Sequence, residues 1–426
     1  MRLKHPDFPD RSVWLGYCLN LHPGEDLAAI LQGIREITLP LRERLAPGSV
    51  FGVGLYLPAS VARILARDSD AFDSLAGLLG ENSLVPFTAN SFPFGNFHTE
   101  GLKADVYAPA WDDPRRLEFT LDVAGVARRL ALASAQDAVQ VPARVSVSTH
   151  PGGYGAWSEG PATLHAYSRG LAQAASGLWA LQAGESGPRL SLGLEAEPRA
   201  SAGDSAELAE FLVVARMRAA RALREDQGLD AGHAEEVAGE MLSTCLDTCH
   251  AAVEFEVPSH AWRNANLGGA ASKVQLSSAL VLREPADHED ARNAFLGLDE
   301  PCYLHQVTGR RANGGGHERA SDLNELPLDL DAWLACDEWR CHFHVPVNLV
   351  EMQGLTTTRA ELEGILDAAL DHPDSWPAGE LHLELETYTW NLLPAAARGE
   401  GGLVDGIERE YRHALDRLAK RGWRIQ

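Results

Sequence analysis

The residues of this chain that could do chemistry sit at the ends of short apolar runs. Leu242–Val253 reads L-S-T-C-L-D-T-C-H-A-A-V, so a strand-like run ends in Asp247 and His250 follows one turn later. A carboxylate and an imidazole at one strand tip are a pair of potential metal ligands. The same placement recurs in S-L-G-L-E ending at Glu195, in L-H-L-E-L-E ending at Glu386, and in H-F-H-V-P with His342 and His344. Three carboxylates converging on one point repel one another, and a bound divalent cation is the simplest remedy. Strand alternation turns Gly193 and Glu195 inward; the competing reading of Glu195 is a helix cap or a rim ion pair with Arg199. His382, Glu384 and Glu386 share a face, with Glu386 nearest the strand end. Glu384 is deeper and needs a partner such as His382. Glu197, past its strand, reads as structural.

The elements that must position these residues alternate. Strands are expected at Ser12–Asn20, Val50–Leu57, Leu84–Asn90, Val141–Thr149, Arg189–Glu195, Leu242–Asp247, Ala271–Ser277 and Glu380–Glu386. Helical periodicity fills the gaps, at Gly24–Leu45, Val61–Leu79, Arg115–Ser134, Pro161–Ala183, Ser205–Arg224, Ala231–Met241 and Val404–Lys420. This alternation argues for an α/β fold, and eight such strands without a G-x-G-x-x-G fingerprint favour a (β/α)8 TIM barrel. The chain is read as one domain over residues 1–426, with a polar leader before Ser12 and an insertion over roughly residues 280–339 after strand seven. That insertion has a hairpin expected around Tyr303–Arg310, and the His342–Val347 segment closes it over the barrel mouth.

In such a barrel the site lies at the C-terminal strand ends. Candidates there, besides the acidic set and the paired histidines, are Asn20, His22, Asn90, His98, His150 and Gln275. His150, before Pro-Gly-Gly, reads equally as a site residue or a turn residue. Tyr388 and Trp390 are candidates for the wall of a substrate pocket, with simple packing as the alternative.

Sixty acidic against 37 basic side chains leave a net charge of -23. A surface of that sign repels phosphate backbones, which argues against nucleic-acid partners. Six scattered cysteines without a C-x-x-C pair suit reduced thiols. The absence of an apolar leader or of a run near about 18 apolar residues points to a cytoplasmic protein that does not span a membrane.

Taken together, Glu195, D-T-C-H at Asp247–His250, His342 with His344, and E-T at Glu386 resemble the xylose-isomerase-like barrels, which include sugar isomerases, epimerases and endonuclease IV. S-T-H-P-G-G at Ser148–Gly153 is similar to the endonuclease IV pattern. More closely, Y-C-L-N-L-H-P-G-E, P-F-G-N-F-H and L-E-T-Y-T-W-N resemble the EboE-type metabolite traffic proteins, associated with secondary metabolism. The resemblance implies a metal-dependent isomerase or epimerase acting on a small polyol or sugar-type intermediate. It places Glu195, Asp247, His250 and Glu386 at metal-ligand positions, with His150, His342 and His344 as further ligands and manganese, zinc or magnesium as the ion. Glu195 and Glu386 would exchange a carbon-bound proton as base and acid. Gln275 stands where many members carry a ligating histidine, which implies one or two metals rather than a three-metal nuclease site. The alternatives are a non-catalytic metabolite carrier and a metal-dependent phosphoester hydrolase. Partners implied are a small-molecule metabolite and other Ebo-cluster proteins at the membrane.

Overall fold

Eight apolar runs pair in parallel, each beside its neighbour in the chain: Phe8–Tyr17, Phe51–Tyr56, Leu84–Asn90, Arg144–Thr149, Arg189–Glu195, Leu242–Asp247, Ala271–Leu276 and Glu380–Leu385. The last strand pairs in parallel with the first, Leu383 opposite Leu15, and a parallel bridge from Cys18 to Gly54 joins the first to the second. The sheet therefore closes into an eight-stranded α/β barrel with helices outside. The computed structural model describes residues 1–135, 141–158, 160–267 and 270–426. Among the described residues no helix is long and apolar enough to cross a membrane.

Local chemistry sets the helix limits. Asp204 caps Ser205–Gln227 by accepting from the Ala206 and Glu207 amides, and Gly228 ends that helix at a φ of 70°. The single helix expected over Val61–Leu79 is two, Ala59–Arg67 and Ser69–Glu81, because Asp68 accepts from the Asp70 and Ala71 amides and restarts the chain. The helix expected over Gly24–Leu45 contains a π turn at Ile34–Thr38, just before Pro40, which has no N–H to donate. The polar leader is no leader: Arg2–His5 pairs antiparallel with the first barrel strand and with Arg424–Ile425. Its polar residues alternate with Met1 and Leu3, which are buried.

The excursion after strand seven is a six-stranded antiparallel sheet with its own apolar core. It begins at Ser278–Arg283 and extends to Leu355–Thr357, beyond the span read from sequence, and its hairpin joins Val307–Arg311 to His317–Ala320. The strand carrying the paired histidines is long, Cys336–Val345. Its alternation is decisive. Trp339, Cys341, Phe343 and Val345 face the sheet's own core, so Glu338, Arg340, His342 and His344 face the barrel.

Where barrels of this kind are filled by branched apolar side chains, this interior holds polar layers. Lys273 Nζ lies 2.5 Å from Glu384 Oε2 with both side chains fully buried. Lys273, not His382, is thus the partner of Glu384. His382 bonds Ser146 Oγ instead, at 2.9 Å, and faces Glu380. Gly54 makes room for the pair, since a Cβ there would stand 1.8 Å from Glu384 Oε1. The outer layer has an equally close contact, where a Cβ on Gly170 would stand 1.9 Å from the Trp111 carbonyl oxygen. Gly170→Ala is expected to destabilise the fold by about 1–3 kcal/mol, read as a lower urea midpoint; an unchanged midpoint would contradict this packing.

Candidate metal centre

Six of the residues singled out by sequence meet at the C-terminal mouth of the barrel. Glu195, Asp247 and Glu386 bring one carboxylate oxygen each to within 4.8 Å of the others, and Asp247 is likewise within that range of His250 and His344. Asp247 ends its strand and caps the six-residue helix Thr248–Val253, its Oδ1 accepting from the Cys249 and His250 amides at 2.7 and 3.0 Å. That cap swings His250 back over the mouth. His342 and His344 arrive from the opposite direction, on the inserted sheet.

Each imidazole has its Nδ1 against an acceptor. His250 Nδ1–H donates to the Ala196 carbonyl at 3.0 Å, His342 Nδ1–H to Gln306 Oε1 at 2.5 Å, and His344 Nδ1–H to the Glu386 carbonyl at 2.8 Å. With the proton on Nδ1, each Nε2 carries a lone pair. The three Nε2 atoms face one another at 3.0, 2.9 and 3.3 Å. Ligand nitrogens tetrahedrally arranged at about 2.0 Å from one ion stand about 3.3 Å apart. Burial holds all three imidazoles neutral, His250 pushed down to about 3 and His344 to about 4. Glu195 Oε2 and Asp247 Oδ2 are buried without a hydrogen bond, while Glu195 Oε1 lies 3.5 Å from His250 Nδ1 and Asp247 Oδ1 4.0 Å from His250 Nε2. The facing lone pairs suit a divalent cation, and Asp247 belongs to two potential ligand groups, one with His250 and His344 and one with Glu195 and Glu386.

Glu386 is different. Its Oε1 accepts from Asn20 Nδ2 at 2.8 Å and Asn90 Nδ2 at 3.0 Å, and its Oε2 from Gln275 Nε2 at 2.5 Å. Three amide donors favour the charged carboxylate, against the upward push of burial and of Glu384 and Asp247 nearby. Burial, with Glu386 and Asp247 beside it, raises Glu195 well above the usual carboxylate range, an effect a cation would reverse.

Above this polar floor rise aromatic walls. Phe92, Phe97, Tyr303 and Tyr388 line the cavity, with Phe97 stacked edge-on to Tyr388 at 4.7 Å and Tyr303 4.9 Å from Tyr388. Lys103, at the rim, is neutralised by Asp322 at 2.7 Å and Asp299 at 3.3 Å.

The other sequence candidates fall outside the cluster. His150 is buried between Phe92 and Tyr107, with ring centroids at 5.1 and 5.8 Å, and belongs to no ligand group among the described residues. Gln275 is a donor to Glu386, not a neutral ligand. His22 lies behind the wall, against Gly33 and the Tyr17 hydroxyl. His98 stands one layer out: its Nε2–H donates to the Asn20 carbonyl at 2.8 Å, so its Nδ1 accepts from the Tyr303 hydroxyl at 2.5 Å. Trp390 turns away from the mouth into the core of the inserted sheet, over Gly406. Arg199 pairs with Glu254, not Glu195.

Glu197, read as structural, lines the cavity. It accepts from Gln306 Nε2 at 2.9 Å, and burial pushes it up to about 7. The alternation that turns Glu195 inward also turns Glu197 inward, and that signal was available. Tyr303 and Gln306 lie in a segment without periodicity, which carried none.

No family model matches the sequence, and no curated protein matches it. Among solved structures it is similar to an L-ribulose 3-epimerase (14% identity, covering 96% of this chain and 95% of that one, TM-score 0.44). It is also similar to D-psicose 3-epimerase with D-tagatose from Clostridium cellulolyticum H10 (11%, 95% and 97%, TM-score 0.47). A third is the probable 3-DHS dehydratase AsbF, involved in petrobactin synthesis, from Bacillus anthracis (11%, 94% and 98%, TM-score 0.44). At these identities and scores the likeness assigns nothing to the site, and the barrel rests on its own strand pairing.

Gln306 bridges two members of the cluster. Gln306→Leu strands His342 Nδ1–H and leaves Glu197 without its amide donor, which is expected to cost about 1–3 kcal/mol for each group; a denaturation curve shifted by less than about 1 kcal/mol would contradict that bridge.

Proposed function

We propose that this chain is a metal-dependent enzyme that moves a carbon-bound proton on a small polyol or sugar-type molecule, within the secondary-metabolite traffic its EboE-like motifs imply. The observation that carries the reading is the set of three Nε2 lone pairs facing one another, with Asp247 within ligand range of His250 and His344. His250, His342, His344, Asp247 and Glu195 would hold the ion. A divalent ion there supplies positive charge that polarises a substrate carbonyl and its neighbouring hydroxyl.

The protein's own groups do the rest. With a cation nearby to offset the rise that burial imposes, Glu386, which accepts from Asn20, Asn90 and Gln275, takes the carbon-bound proton. Glu195, three strands away around the ring yet close in space, returns one from the other side. The Tyr303 hydroxyl donates its hydrogen bond to His98 Nδ1, which leaves its oxygen to accept from a substrate hydroxyl. Phe97, Tyr303 and Tyr388 exclude water. A phosphorylated ligand suits the pocket less well, because Lys103 is already committed to two aspartates.

Incubated with a panel of ketoses in deuterium oxide after manganese loading, the wild type is expected to place deuterium on the carbon beside the carbonyl of at least one sugar. Glu386→Gln should slow this by about 10²–10⁴-fold while keeping its metal. Elemental analysis should find a divalent ion in the wild type and less in Asp247→Ala. Metal bound without exchange on any member of the panel would count against the proton-transfer reading; no metal at all would sink the metal-dependent enzyme and favour the non-catalytic carrier.

A further inference from the structure

The three facing imidazoles come from two separately built units, and one side chain ties those units together next to them. Arg340 precedes His342 by two residues on the barrel-facing side of Cys336–Val345 and is 6% exposed. Every nitrogen of its guanidinium is used. Nε donates to Glu338 Oε1 at 2.7 Å, Nη2 to Glu361 Oε1 at 2.9 Å on the helix Arg359–Asp371, and Nη1 to the Ala252 carbonyl at 2.7 Å. Ala252 belongs to the short helix Thr248–Val253 that Asp247 caps and that carries His250. The Phe255 ring, just past that helix, lies 4.2 Å from the Arg340 guanidinium and 4.6 Å from that of Arg310. Glu254 adds a second tie, accepting from Thr308 and Arg319 of the inserted sheet.

We propose that Arg340 is a positioning residue for the metal centre. By gripping the Ala252 carbonyl from the strand that carries His342 and His344, it sets the distance between those imidazoles and that of His250. The inference rests on the reading of the imidazole trio as a metal site. The physical reason is reach and rigidity. A planar guanidinium with three acceptors in fixed directions fixes the register of strand against helix, whereas an ammonium on the same strand satisfies one of them at a time. An ion bound by nitrogens at about 2.0–2.1 Å tolerates little displacement of any one ring. Loss of an outer support of this kind typically lowers metal affinity about 10–100-fold.

The test uses the full chain stripped of metal and titrated with Co²⁺, followed by visible absorption, for the wild type, Arg340→Met, Arg340→Lys and Arg283→Met. Arg283 shares the Glu338 contact on the same sheet but its side chain is 61% exposed, and it controls for loss of a guanidinium alone. Arg340→Met is expected to bind Co²⁺ about 10–100-fold more weakly, with an altered ligand-field spectrum, while Arg283→Met matches the wild type. Arg340→Lys should fall between them, and it supplies the answer if Arg340→Met does not fold. Wild-type affinity and spectrum in folded Arg340→Met or, failing that, in Arg340→Lys would overturn the positioning role and leave the metal reading intact. An equal loss in Arg283→Met would overturn it as well, since any guanidinium would then serve. A wild type that takes up no Co²⁺ would overturn the metal reading itself, and the inference with it.

Discussion

The arrangement of the barrel mouth turns on a mutual repulsion. Three neutral imidazoles, each with its Nδ1 proton committed to a carbonyl or amide oxygen, aim their Nε2 lone pairs at one another across about 3 Å. The Tyr388 hydroxyl lies 3.3 Å from His342 Nε2, and among the described residues no group donates to all three. Such a cluster costs free energy wherever a cation is not among its members, because like partial charges face one another in a buried volume. The same volume holds Asp247 and Glu195 with oxygens lacking partners. Two of the imidazoles are held there by backbone carbonyls and the third by the Gln306 side chain, and costly arrangements of this kind cluster at ligand-binding sites.

Two units share that cost. The barrel supplies the carboxylates and His250, each at the end of a strand whose apolar residues pack outward against helices. The inserted sheet supplies His342 and His344 from one side of a strand whose other side is buried in a separate apolar core. Each unit packs its own apolar face, so the centre between them is made almost wholly of polar side chains held by hydrogen bonds. Deeper in the barrel the same strategy continues with the Lys273–Glu384 pair, which places one positive charge below a mouth rich in negative ones.

The barrel was legible because its signal is periodic and repeated: eight apolar runs, each followed by a helical stretch, leave few other architectures. The gathering of Glu195, Asp247, His250 and Glu386 was legible for the same reason, since each residue terminates one of those runs. Less legible was anything set by a single side chain acting on the backbone. The split at Asp68 and the π turn before Pro40 interrupt helices whose apolar spacing runs on unbroken. Pairings across the chain were illegible altogether. That Glu384 meets Lys273 rather than its neighbour His382, that Gln275 serves Glu386, and that Tyr303 reaches the cavity from an aperiodic loop all depend on which strands lie side by side. Glu197 stands apart: its parity with Glu195 is plain in the sequence, and it lines the cavity although it lies beyond the strand end.

The most direct measurement of the central claim is anomalous X-ray diffraction from crystals soaked in Zn²⁺ or Mn²⁺, recorded at the absorption edge of the metal. A single strong peak about 2.0–2.2 Å from the Nε2 atoms of His250, His342 and His344, touching the free oxygen of Asp247, is the predicted result. A peak at surface carboxylates alone, with the three imidazoles swung apart, would contradict the account.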